Sequence, residues 1–189
     1  MHREELSVKV EYYSLGELTQ LDRELVMAAR KATANSHSPY SKFRVGAAVR
    51  LASGLIVLGA NQENAAYPLC TCAERVALNT VGAMGNKKDV VAIAVTGRLG
   101  TVEEDLYRGT DPVTPCGGCR QVIKEYEDLA GKRLVLLMDG YCDTVRRMEG
   151  IESLLPFSFG PSAFGADALG LTMAEPGTTP LVPRVSGPL

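Results

Sequence analysis

Val90-Val91-Ala92-Ile93-Ala94-Val95 and Leu134-Val135-Leu136-Leu137-Met138 are two short, continuously apolar runs, and the fold turns on what they are. Runs of this length suit strands covered on both faces, although periodicity alone does not separate them from buried helix. Between them lies a polar loop and then a helical pattern from about Gly117 to Leu129, with Val122, Ile123, Tyr126 and Leu129 on one face. Working outward, Thr144–Arg147 reads as a last strand and Glu152–Leu155 as a short turn. Upstream, Ser14-x-x-Glu17 reads as a capping box before Leu18, Leu21, Leu25, Ala28 and Ala32, a helix that Ser36–Tyr40 (SHSPY) ends. Arg44–Leu51 and Leu55–Ala60 flank the turn Ala52-Ser53-Gly54 and form a hairpin. A loop from Asn61 to Thr71 leads into a second helix, from about Cys72 to Gly85. Helices alternating with strands give an α/β layered domain.

The chain has 189 residues, the length of one domain or of one domain with a tail. A hydrophobic share of 46% is enough for a core, and the net charge is only −2. Basic residues cluster no further than pairs such as Lys87-Lys88 and Arg146-Arg147, which argues against a polynucleotide partner. No apolar run approaches the roughly 20 residues that span a bilayer. The polar N-terminus, MHREELSVKVEYYS, does not suit a signal peptide, so a cytoplasmic protein is expected. Residues 174–189 carry four prolines without amphipathic period and are expected to form a disordered tail.

The five cysteines are odd in number and favour metal or catalysis over a disulfide framework. Cys116 and Cys119 share a face of the third helix at its start, and Cys72 opens the second. Unpaired N–H groups at helix starts favour thiolates. Three thiolates can hold a tetrahedral zinc with one position open. Glu74, two residues after Cys72, can reach the same point from a first turn and exchange protons there. Cys116-Gly117-Gly118-Cys119 alone also fits a redox dithiol, and Cys70 could close a purely structural zinc site. His2 and His37 read as surface residues and Cys142 as an incidental thiol.

Cys72-Ala73-Glu74 and Pro115-Cys116-x-x-Cys119 resemble the three-cysteine form of the cytidine deaminase signature. The likeness extends to Pro39-Tyr40-Ser41-x-Phe43-x-Val45-Gly46-Ala47-Ala48, Asn61-x-Glu63-Asn64-Ala65-x-Tyr67-Pro68, Cys119-Arg120-Gln121-Val122 and Leu154-Leu155-Pro156-x-x-Phe159-Gly160-Pro161, in family order. It covers about residues 15–161. The resemblance implies a three-layer α/β/α domain over residues 1–165 with a mixed, mainly five-stranded sheet, followed by a tail at 166–189. It implies hydrolytic deamination of free cytidine and 2′-deoxycytidine in pyrimidine salvage. One Zn2+ per chain would be held by Cys72, Cys116 and Cys119, with Glu74 as proton shuttle. Phe43, Asn61, Glu63, Ala73 and the Thr114 carbonyl would bind substrate. Tyr67 and Phe159 would complete pockets between subunits of a homotetramer. Arg75, three residues after Cys72, would donate to the thiolates and offset their excess negative charge.

Three departures accompany the likeness: Cys70-Thr71 before the first ligand, a longer loop over Gly97–Asp111, and the tail. Other readings stay open at this stage. One is a deaminase of a cytosine nucleoside antibiotic such as blasticidin S; the complete Asn61-x-Glu63 pair favours an ordinary nucleoside over it. An editor of polynucleotides would need a basic groove, and a zinc-stabilised binding module would hold metal without turnover.

Overall fold

A computed structural model describes residues 2–3, 5–100 and 111–164. The chain divides into two compact units, Met1–Ser158 and Phe159–Leu189. In the first unit six strands form one sheet: β1 (Glu11–Tyr13), β2 (Phe43–Leu51), β3 (Ile56–Ala60), β4 (Val90–Leu99), β5 (Val135–Met138) and β6 (Val145–Glu149). Their order is β1-β6-β5-β4-β2-β3, with β4 and β5 parallel and every other pair antiparallel. Among its described residues the unit has three α-helices: α1 (Gln20–Ala32), α2 (Ala73–Ala83) and α3 (Gly117–Ala130). The described part of the second unit holds a 3-10 turn at Pro161–Phe164.

The two apolar runs are indeed central strands covered on both faces. Alternate residues of β4 and β5 divide between two cores. Ala92, Ala94 and Leu137 pack with Leu25, Val26 and Ala29 of α1. Ile93, Val95, Leu136 and Met138 pack with Leu78 and Val81 of α2 and Ile123 of α3. The result is a three-layer α/β/α domain, and α3 is the crossover that parallel strands require. Each fully buried Leu, Ile or Val side chain contributes about 1.5–3 kcal/mol through burial.

Three details differ from the sequence reading. The sheet has a sixth strand, β1, an edge of three residues paired with β6. It is tied there by Glu11, whose carboxylate accepts Arg147 at 3.0 Å. Ser14 and Glu17 do bond one another, but they close a turn ahead of α1. The helix itself starts at Gln20, where the Thr19 hydroxyl accepts the Asp22 N–H. Leu21 is accordingly exposed, and Asp22 is turned inward to pair with Arg50 and Arg147. Third, Gly97–Leu99 belong to β4, because β2 pairs with them as far as Phe43↔Leu99. Residues 101–110 of the long loop, and the expected tail at 166–189, lie outside the described residues.

Among the described residues no helix is long and apolar enough to cross a membrane.

Candidate active site

Cys72 is the residue immediately before α2, and Cys116 the residue immediately before α3. Both have extended backbone, and neither side chain caps its own helix. Their sulfurs are therefore free to point beyond the helix ends, where they lie 3.8 Å apart. Cys119, one turn into α3 and fully buried, brings its sulfur to 3.5 Å from that of Cys116. All three sulfurs lie within 4.8 Å of one another. Around a tetrahedral ion with bonds of about 2.3 Å, sulfurs stand about 3.8 Å apart. Cys70 is not part of the cluster; its sulfur accepts the Asn64 N–H at 3.3 Å.

The meeting of two helix starts depends on a close approach. A Cβ on Gly59 of β3 would lie 2.3 Å from the Ala73 carbonyl oxygen, so only glycine lets the first turn of α2 sit this low on the sheet. Ala73 is fully buried there.

The donors are suited to a dication. The Cys72 thiol is lowered to about 5 by its hydrogen bond with Cys119, with the Arg75 guanidinium contributing after the opposing effect of burial. Cys119 is pushed up, first by the Cys72 sulfur beside it and then by burial. One sulfur thus ionises at the expense of another, and an ion of charge +2 would stabilise all three as thiolates. Glu74, in the first turn of α2 and 3% exposed, is held above the usual carboxylate range by burial, with the Cys72 sulfur adding to it. Arg75 points Nη2 at the Cys72 sulfur (3.8 Å) and at the Cys70 carbonyl (3.0 Å). Its Nε is buried and has no partner among the described residues.

A cavity of about 350 Å³ opens beside these residues, and Phe43, Asn61, Glu63, Cys72, Glu74, Thr114 and Cys116 are among those that line it, as are Ser41, Val45, Gln62, Cys70, Thr71 and Val113. It suits a small polar molecule. Glu63 accepts the N–H groups of Tyr40 (2.9 Å) and Ser41 (3.2 Å) and the Ser41 hydroxyl. These bonds, the Ser41 hydroxyl first, hold its carboxyl below the ordinary range, so it faces the cavity as an anion. Asn61 reaches the cavity but is already engaged. Its oxygen accepts the Val45 N–H (2.8 Å) and the Ser36 hydroxyl, while its nitrogen donates to the Phe43 carbonyl (2.9 Å). One amide N–H remains for a ligand.

The structure thus brings Phe43, Asn61, Glu63, Thr114, Glu74, Cys72 and Cys116 to one cavity, with Cys119 buried behind it in the sulfur cluster. It does not bring Tyr67 there within this chain: Tyr67 is 67% exposed and packs edge-on against Tyr40, with ring centroids 5.8 Å apart. Phe159 is 60% exposed and is the first residue of the second unit. Ser41, Gln62 and Thr71 are among the lining residues to which the sequence assigned no role. Ser41 fixes Glu63. Gln62 and Thr71 exchange N–H···O bonds, both 2.9 Å, that close the neck of the loop carrying Glu63. Ser41 stood inside a quoted motif; the backbone exchange left no signal in residue type.

The family model "Cytidine and deoxycytidylate deaminase zinc-binding region" matches residues 19–137. The cytidine deaminase of Halalkalibacterium halodurans is 45% identical over 106 residues, 56% of this chain and 72% of the relative. That of Mycobacterium tuberculosis strain H37Rv is 33% identical over 132 residues, 70% of this chain and 84% of the relative. Among solved structures, the cytidine deaminase from Burkholderia pseudomallei matches with a TM-score of 0.63 at 36% identity, over 75% of this chain and 100% of that one. The matched span runs from the cap of α1 into β5 and includes each of the clustered cysteines, and on that ground the chain belongs to the cytidine and deoxycytidylate deaminase family and is a hydrolytic deaminase.

Proposed function

We propose that the chain deaminates free cytidine and 2′-deoxycytidine to uridine and 2′-deoxyuridine. The observation that carries this reading is a buried, protonatable Glu74 in the same first turn as a three-sulfur cluster, at one cavity with an ionised Glu63. Cys72, Cys116 and Cys119 would hold Zn2+. Bound there, the ion would supply the Lewis acidity that makes water a nucleophile near neutral pH.

Glu74 takes up a proton from the attacking water, delivers it to the ring nitrogen N3, and then serves the departing amine. Its burial, which raises its proton affinity, suits a group that must carry a proton between partners. Arg75 offsets the negative charge of the sulfurs. Phe43 covers one face of the base, and the Thr114 carbonyl accepts from the amine. Glu63 accepts from sugar hydroxyls, with the remaining N–H of Asn61 and the first turn at Ala73 completing the grip. In a homotetramer Tyr67 and Phe159 would complete neighbouring pockets. Residues 1–165 are the proposed catalytic domain, with a role in pyrimidine salvage in the cytoplasm.

Among the described residues that line the cavity there is no Lys or Arg, and there are two carboxyl side chains. That favours a nucleoside over a nucleotide or a polynucleotide, whose phosphate would be repelled. Absorbance assays of cytidine, deoxycytidine, deoxycytidylate and blasticidin S, with and without a chelator, test the reading. Chelator-sensitive turnover of the first two is expected. Preference for deoxycytidylate or blasticidin S, or turnover indifferent to the chelator, would overturn it.

A further inference from the structure

The cavity wall at Val113 and Thr114 is held from the far side of the sheet. Asp139 follows β5 and is fully buried. Its N–H donates to the Val95 carbonyl (2.9 Å), and its own carbonyl accepts the Val113 N–H (3.1 Å). Its carboxylate turns to the α1 face, away from the cavity. There Arg30, in the last turn of α1, grips it with two parallel bonds, Nε to Oδ2 at 2.8 Å and Nη2 to Oδ1 at 2.7 Å. The Thr96 hydroxyl donates to Oδ2 at 2.6 Å. The Arg30 guanidinium lies over the Tyr141 ring, 4.8 Å from its centre, and the Tyr141 hydroxyl lies 2.9 Å from the Arg30 carbonyl. The next residue, Gly140, has no room for a side chain. A Cβ there would stand 2.5 Å from the Asp111 carbonyl oxygen.

A buried ion pair is a weak source of stability, because desolvation offsets its Coulomb energy. What it does supply is orientation. A carboxylate held by a bidentate guanidinium and a hydroxyl has one rotamer, and the peptide that presents its carbonyl to Val113 is fixed with it. Val113 is two residues before Pro115 and three before Cys116, so a shift of Asp139 is passed to both Thr114 and a sulfur.

We propose that the Arg30–Asp139–Thr96 cluster is a positioning device for the segment Val113–Cys116, so that an ion pair on one face of the sheet sets the geometry of the site on the other. The catalytic side of this inference rests on the proposed deamination; its metal-holding side does not.

The test compares Asp139→Asn, Thr96→Val and Gly140→Ala with Asp22→Asn, each purified with zinc. Asp22 is also a buried carboxylate paired with arginines, but it sits in the first turn of α1. Three quantities are read: kcat and KM on cytidine, the rate at which a chelator strips zinc, and Tm. Asp139→Asn should lower kcat by about tenfold or more, since misplacement by 1 Å can cost about 10²-fold. KM should change less, and zinc loss should accelerate by about tenfold. Gly140→Ala, which pushes Asp111 directly, should give the same signature without touching the ion pair. Thr96→Val should give a weaker version. Asp22→Asn should lower Tm and leave kcat and zinc loss unchanged.

If Asp139→Asn does not fold, Thr96→Val and Gly140→Ala decide. Wild-type kcat and zinc retention in both would overturn the proposal. So would an Asp22→Asn variant that loses kcat in proportion to Tm as the others do. A wild-type protein inert towards cytosine nucleosides would refute the deamination, and the zinc-loss rates would still judge the cluster.

Discussion

The starts of α2 and α3 meet at the same point but are made of different things. The α2 start contributes one sulfur, a buried acid and a guanidinium within four consecutive residues, Cys72 to Arg75. It is pressed onto the sheet at Gly59. The α3 start contributes two sulfurs, and the residues between them, Gly117 and Gly118, have open space where a Cβ would stand. Its first charge is Arg120, which faces away to tie the Pro115 and Leu154 carbonyls, both at 2.9 Å. On the proposed reading both helix starts would hold the metal, and only the α2 start, pressed against the sheet, would also carry the proton.

The division can be broken most sharply at α3. Cys119→Ala should abolish zinc binding, measured by elemental analysis, and with it all turnover; Cys70→Ala should retain zinc. Loss of zinc in Cys70→Ala alone would mean that a different set of sulfurs holds the ion. Next in size is Glu74→Gln. It keeps the shape of the side chain but cannot carry the proton, so kcat should fall by about 10⁴-fold, the upper end for one acid–base group. Zinc content should stay at wild type. A variant keeping a tenth of wild-type turnover would remove Glu74 from the chemistry, and a zinc-free variant would make it a ligand.

Smaller effects sharpen the contrast. Arg75→Ala should weaken zinc affinity or kcat by about 10–100-fold, as groups behind metal ligands do. Arg75→Lys should recover part of the loss, because the charge returns without the fork. A matched pair of glycines then separates packing from chemistry. Gly59→Ala places a methyl against the Ala73 carbonyl and should destabilise the fold by about 1–3 kcal/mol, read by denaturant titration. Gly117→Ala meets nothing and should change stability by less than about 0.5 kcal/mol. Equal destabilisation by the two would contradict the tight seat of α2.

The cysteines were legible in the sequence because metal-holding spacing and helix-start residues coincide at Pro115–Cys119. The central strands were legible because burial on both faces leaves an unbroken apolar run. Strand β1 was not, since three residues at a polar edge give alternation no length to show. The inward turn of Asp22 was not either; its partners Arg50 and Arg147 are far away in sequence, so Leu21 took its place in the helical pattern. Within the site, Glu63 was named, but the Ser41 hydroxyl that fixes it stands 22 residues earlier. Asn61 was named for expected sugar contacts, and only in the folded chain is most of its amide spent bracing Phe43 and Val45. The roles proposed for Tyr67 and Phe159 would need a second copy of the chain, and a single chain leaves both exposed.

Cys72 and Cys116 are 44 residues apart in sequence. In an unfolded chain, gathering their sulfurs would mean closing a loop of that length. On the scale used for cross-links, that closure costs about 4 kcal/mol in entropy. Folding has already done the gathering, so the folded chain should hold an ion roughly 10³-fold more tightly than the unfolded chain. By thermodynamic linkage the same factor returns as resistance to heat whenever the ion is plentiful. With an ion bound, the sulfur cluster would be a removable staple as well as the proposed site of chemistry.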